Sequence, residues 1–203
     1  MMAWIREHLV KIVAVLFVAG FAWHWFATRP VHHGPGQLAP DEPVQVNLTM
    51  SHPIRFKDHT LQPLATFDIQ ARVLSRERYW FDRGAKLSPI DFALGWGPMS
   101  DNRLLDLLDI SQGHRFWMFS YSGGTTNDEV SHHAANMHMI PSTPAIEHTL
   151  LDVRVGQIVH LEGELVEATG DDGFRWRSSL SRTDTGDGAC ELVYVETALV
   201  SDQ

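Results

Sequence analysis

VRVGQIVHLEGELVEA, residues 153–168, sets Ile158, His160, Glu162 and Glu164 against Val159, Leu161, Gly163 and Leu165. Successive side chains of a strand point to opposite faces, so this run reads as a strand with one buried and one solvated face. The alternation slips by one residue after Gly163, and a glycine at a change of phase predicts a bulge or sharp bend, as small barrels use at corners. Downstream, Asp171-Asp172-Gly173 predicts a turn, residues 174–180 a returning strand, 185–188 a second turn and 189–200 a last strand. Three consecutive antiparallel strands with a glycine kink predict a small OB-like or SH3-like barrel.

Upstream the same period of two recurs. Residues 66–75 place Phe67, Ile69, Ala71 and Val73 opposite Asp68, Gln70 and Arg72. Residues 114–121, HRFWMFSY, read as an aromatic strand buried on both faces. Two short helices are expected. One is capped by Ser100 or Asp101 and runs to 109 on a Leu104, Leu105, Leu107, Leu108 stripe. The other starts at Thr143-Pro144 and reaches about 151, because proline suits the first helical position. Trp96 lies between Gly95 and Gly97, ahead of Pro98, on a tight loop; it is either a stacking platform for a ligand or a plug at one barrel end. The fold class is therefore mainly β (α+β).

The N-terminus is of another kind. Residues 9–27, LVKIVAVLFVAGFAWHWFA, carry one charge, Lys11, and as a helix reach roughly 28 Å, close to a bilayer core. Trp4, Trp23 and Trp25 suit the two interfaces, and no good cleavage site follows, so an uncleaved signal anchor is expected. Arg6 and Lys11 outweigh Glu7, which leaves residues 1–8 cytoplasmic and exports the rest. In a bacterium this is an inner-membrane protein with a periplasmic domain. Residues 28–43, with four prolines and two glycines in 29–43, read as a flexible linker, and 44–203 as the β-rich domain.

Charge narrows the partners. The formal charge is −9; residues 1–29 hold +2 (Arg6, Lys11, Arg29, Glu7), so 30–203 hold −11. Such a domain repels phosphate backbones unless a local basic patch exists. Arg72, Arg76, Arg78 and Arg83 come nearest to one but are interleaved with Glu77 and Asp82, so no nucleic-acid partner is expected. A lone Cys190 excludes an intrachain disulfide.

The residue types present point to three chemistries. His132, His133 and His138 are the candidate metal ligands, but no pair has the helical spacing of three or four that faces ligands one way, and no metal or other cofactor is expected. Cys190 with His138 and Asn136 has the residue types of a thiol hydrolase, although Cys190 sits in a strand-like run rather than at a helix N-terminus. Asp91 and Asp184, with Asp187 and Glu191, are the candidate carboxylates for glycan cleavage, yet carboxylates at turns are ordinary.

DFALGWG (91–97), NMHMIP (136–141), WRSSLSRTDTG (176–186) and GACE (188–191) are particular enough that residues 65–197 resemble a family of uncharacterised single-span bacterial inner-membrane proteins with a periplasmic β-rich domain. The resemblance implies the architecture and no activity. The expected function is a non-enzymatic, membrane-anchored module that binds another envelope protein or component through Trp96, Asn136 and His138. The alternative is a periplasmic hydrolase or metal-dependent enzyme using His138 with Cys190 or Asp184.

Overall fold

A computed structural model describes residues 2–123, 126–181 and 188–202, with the side chains of 2–7, 10, 24 and 27 outside that description. The chain divides into two compact units, Met1–Pro30 and Val31–Gln203. The first is a single helix, α1 (Met2–Ala27), closed by the Arg29 guanidinium 3.8 Å over the Trp25 ring. Its apolar side chains face solvent at successive positions, Leu16, Phe17 and Val18 among them. Among the described residues, no helix is long and apolar enough to cross a membrane.

The second unit is mainly β. Its strands are β1 (Val44–Asn47), β2 (Ile54–Phe56), β3 (His59–Arg78), β4 (Ile90–Gly95), β5 (Leu108–Gly113), β6 (Phe116–Tyr121), β7 (Ala134–Pro141), β8 (Ile158–Gly170), β9 (Arg175–Arg177) and β10 (Glu191–Ser201). Its helices are α2 (Asn102–Leu105), α3 (Asn127–His133) and α4 (Pro144–Asp152). The pairings run in a circuit: β3 with β4, β4 with β7, β7 with β10, β10 with β8, and β8 again with β3. Only the β7–β10 pair of this circuit is parallel. β1 and β2 flank β3, β9 flanks β8, and β5–β6 form a separate ribbon.

The alternation read from the sequence decides which side chains fill the circuit. Phe67, Ile69 and Ala71 of β3 meet Val159, Leu161 and Leu165 of β8 in one buried cluster with Trp96, and α4 adds Leu150. Thr143 caps α4 by accepting from the Ile146 N–H at 3.2 Å, and Pro144 opens it, as its sequence predicts. The phase change in β8 is real: Leu165 faces this cluster, whereas Val166 joins a second one with Leu61, Leu87 and Leu192.

The bulge lies elsewhere than expected. β8 runs through Gly163 unbroken, and the extra residues lie in its neighbours: Glu196 of β10, between Val195 opposite Gly163 and Thr197 opposite Glu162, and Leu64 of β3, between Pro63 opposite Val166 and Ala65 opposite Leu165. Gly163 is required for close approach, since a Cβ there would lie 2.0 Å from the Tyr194 carbonyl oxygen.

Three further expectations change. The helix after Asp101 stops at Leu105, and the chain continues into β5. β6 packs Trp117 and Phe119 against Met99 and Val130, burying them in part, and turns Phe116 and Met118 to its exposed face. The Pro/Gly-rich stretch is bound down from Val31 onward. Val31 N–H donates to the Val155 carbonyl at 2.8 Å, Gly36 N–H to Asp101 at 2.9 Å, and Leu38 and Ala39 N–H both to Ser100 Oγ at 3.1 Å. Prolines and glycines bury little themselves, but their backbone can be held by polar side chains of the domain.

Candidate functional site

β4 and β7 pair so that Asp91 stands opposite His138, and both are buried, at 0% and 3% exposure. Asp91 Oδ2 and His138 Nδ1 are 2.9 Å apart, an ion-pair distance, yet neither atom makes a directed hydrogen bond among the described residues. The carboxylate is off the line a ring N–H requires.

Arg115 supplies the charge that lets Asp91 stay buried. Gly113 pairs with Phe116, leaving His114 and Arg115 as a two-residue turn with φ of 55° and 70°. A hairpin turn with both φ positive is normally Asn-Gly or Gly-rich, and non-glycine residues there cost about 1–2 kcal/mol each. The strain delivers the guanidinium: Nη1 donates to Asp91 Oδ1 at 2.8 Å, and Nε and Nη2 donate to Asp82 at 3.0 and 2.8 Å. The same group lies 3.6 Å over the Tyr79 ring and 5.3 Å from that of Trp176. Tyr79 Oη accepts from the Arg115 N–H at 3.0 Å; burial, then the nearby Asp91 carboxylate, push this phenol up to about 12.

Around this cluster opens a groove of about 970 Å³. Six aromatic side chains line it: Tyr79, Trp80, Phe81, Phe116, Phe174 and Trp176. Five arginines do as well, Arg78, Arg83, Arg115, Arg175 and Arg177, against two carboxylates, Glu77 and Asp82. Trp80 and Phe81 are 63% and 99% exposed, whereas the Trp176 ring packs on His138 with centroids 4.5 Å apart.

The residues singled out in the sequence scatter. His138 and Cys190 both line the groove, with Asp91 behind the His138 ring. Asn136 is buried; its Nδ2 donates to the Arg115 carbonyl at 3.0 Å and lies 3.7 Å from Cys190 Sγ, and its Oδ1 accepts from Gln112 at 2.6 Å. Trp96 is 1% exposed in the core, in the plug position rather than as a platform, so a partner surface has to be sought elsewhere than at Trp96 and Asn136. His132 and His133 end α3 with their Nδ1 atoms against the carbonyls of Asp128 and Glu129, apart from His138. Asp184 and Asp187 lie outside the described residues. Among the described residues, one group gathers three ligand types within 4.8 Å, the surface set Asp68, His160 and Glu162, which the sequence reading did not pick out.

The arginines that came nearest to a basic patch in the sequence divide in the structure, and those at the groove are paired with carboxylates: Arg83 with Asp172, Arg115 with Asp82 and Asp91, Arg175 and Arg177 with Glu167. Arg72 and Arg76 are structural, donating to the carbonyls of Ser100 and of Val153 and Leu151. Arg78 and Arg83 instead join arginines from two distant stretches. The signal was present as arginine–aromatic interleaving in RERYWFDR (76–83), HRFW (114–117) and FRWR (174–177), which distance along the chain concealed. Comparison with protein families, curated proteins and solved structures finds no match.

Proposed function

We propose that the chain is a membrane-anchored module on the outer side of a bacterial inner membrane that binds an anionic envelope component in this groove. The observation that carries the reading is the convergence of five arginines and six aromatic rings on one groove of a domain that is otherwise strongly acidic. At about 0.1 M salt, charges are screened over about 10 Å, so a ligand in the groove responds to these arginines and to the carboxylates paired with them, and little to the distant acids.

We further infer that the β circuit is a closed barrel of OB type. Its order, with one parallel pair and α4 between the third and fourth strands, matches that Greek-key arrangement. Such barrels bind oligomers between the loop after the first strand and the loop after the fourth, here 79–89 and 171–190, both of which supply groove residues. The support is one of analogy in shape. For the anchor, the support is the sequence of 9–27 with its single charge, and the exposed apolar surface of α1.

The test is binding by full-length protein in mild detergent to immobilised anionic and neutral envelope polymers. Saturable, salt-sensitive capture of an anionic polymer, lost with Arg175→Ala plus Arg177→Ala, is expected. Capture that ignores these substitutions, or none at all, overturns the reading.

A second reading is favoured by one observation: Cys190 and His138 share the groove, with Asp91 against the ring. A thiol hydrolase needs Cys190 as thiolate, so iodoacetamide should alkylate it rapidly at about pH 6, well below the usual thiol range near 8.5, and slowly in His138→Ala. Slow alkylation of the wild type removes this alternative.

A further inference from the structure

We propose that Asp68, His160 and Glu162 form a binding site for a divalent transition-metal ion of the Zn²⁺ type, on the solvent face of the β3–β8 pair. None of the three lines the groove, so this site stands or falls apart from the groove reading.

The strand register builds the cluster. His160 and Glu162 are two apart on β8, which puts both on its solvated face, while Val159 and Leu161 point into the core. Across the antiparallel pair Asp68 stands directly opposite Glu162, and Gln70 opposite His160, so Asp68 is diagonal to the imidazole. His160 Nε2 lies 2.9 Å from Asp68 Oδ1 and 3.8 Å from Glu162 Oε1, and the ligand atoms of the three residues are all within 4.8 Å of one another. Around a tetrahedral zinc with bonds of about 2.0–2.2 Å, ligand atoms are about 3.3–3.6 Å apart. The two measured separations fall on either side of that spacing, and the side chains, at 38%, 50% and 49% exposure for His160, Asp68 and Glu162, have room to adjust.

Two features favour a metal over a plain surface ion pair. Like charges directly opposite on neighbouring strands destabilise a sheet, and Asp68 and Glu162 are such a pair. A divalent ion held between them reverses the sign of that interaction. The group that converges on both carboxylates is an imidazole, presented by Nε2. A lysine or arginine in its place would offset the acids equally well but has no lone pair to give a metal, whereas the neutral ring has one. The donor set then selects among metals: one nitrogen with two carboxylate oxygens suits Zn²⁺, while Mg²⁺ and Ca²⁺ take oxygen ligands throughout. Three protein ligands on an exposed face leave the fourth position to water, the arrangement of an open zinc site rather than a closed structural one.

The test is calorimetric titration of the chelator-washed full chain, in mild detergent, with zinc chloride. Saturable binding near one equivalent is expected. His160→Gln and Glu162→Gln should each weaken it at least about tenfold, the usual cost of a lost ligand or its support. His132→Ala plus His133→Ala, which removes the histidine pair that ends α3, should leave it unchanged. Thermal unfolding supplies a second readout and checks that each variant folds. Zinc at a hundredfold excess over its Kd should raise the melting temperature of the wild type by about 5–10 °C and that of His160→Gln by little. Calcium chloride and magnesium chloride at the same concentration should raise neither. Absence of zinc binding overturns the site, as does zinc binding that survives both His160→Gln and Glu162→Gln or that is lost with the α3 histidines instead. Calcium or magnesium binding as tight as that of zinc overturns it too, because the imidazole would then be no ligand.

Discussion

Arg115 is the residue on which the site depends, because it carries the positive charge facing an Asp91 side chain only 1% exposed. Removing one partner of a buried ion pair strands the other, at about 3–5 kcal/mol. Arg115→Ala should lower stability by that order in urea unfolding, and adding Asp91→Asn should recover much of the loss, since the stranded charge is then gone. Tyr79 gives a signature in pH. Its phenol is raised in the folded state to about 12 from about 10 unfolded, so its contribution is complete below about pH 10 and is lost as pH rises through about 12. Tyr194 is raised in the same direction, chiefly by burial, so Tyr79→Phe should reduce the alkaline loss of stability without abolishing it. Denaturant titrations at about pH 9 and about pH 11 check this. Little of this centre was legible in the sequence. Asp91 and His138 were picked as residue types, but their pairing depends on the β4–β7 register. Arg115 was missed because a His-Arg turn with both φ positive contradicts turn preferences.

Among the elements, the strands were the readable part, since period-two alternation in β3 and β8 follows directly from burial of one face. The bulge was misplaced by one strand: a glycine marks close approach, and the extra residue that creates it belonged to the neighbour. Gly163→Ala tests this. A methyl group 2.0 Å from the Tyr194 carbonyl must push β10 outward, and a loss of at least about 1–3 kcal/mol in urea unfolding is expected. The segment from Val31 to Ala39 was misread because composition reports what a chain can bury, whereas its order comes from hydrogen bonds to Ser100 and Asp101. Ser100→Ala removes the acceptor of two backbone N–H groups and should cost about 1–3 kcal/mol in the same measurement.

At the scale of the whole molecule, the proposed anchor makes a direct prediction. Alkaline phosphatase fused after residue 203 should be active in a bacterial host, because it folds only on the outer side, and deleting 2–27 should move the protein out of the membrane fraction; activity lost in the full chain, or membrane association kept without the helix, contradicts the anchor. The groove was less legible than the architecture, since it assembles from three stretches up to about a hundred residues apart. The pairing of β3 with β8 also fixes an order in time. His59 ends opposite Gly170, so the first long strand to leave the ribosome waits for a partner made roughly 100 residues later, about 5–20 s at ordinary synthesis rates. Through that interval Phe67, Ile69 and Val73 lack their β8 neighbours, while Asp68, Arg72 and Arg76 alternate with them and discourage pairing with a foreign edge. These charges, of which Asp68 stays exposed while Arg72 and Arg76 end bound to backbone carbonyls, thus guard the chain during its birth, before there is a groove to fill.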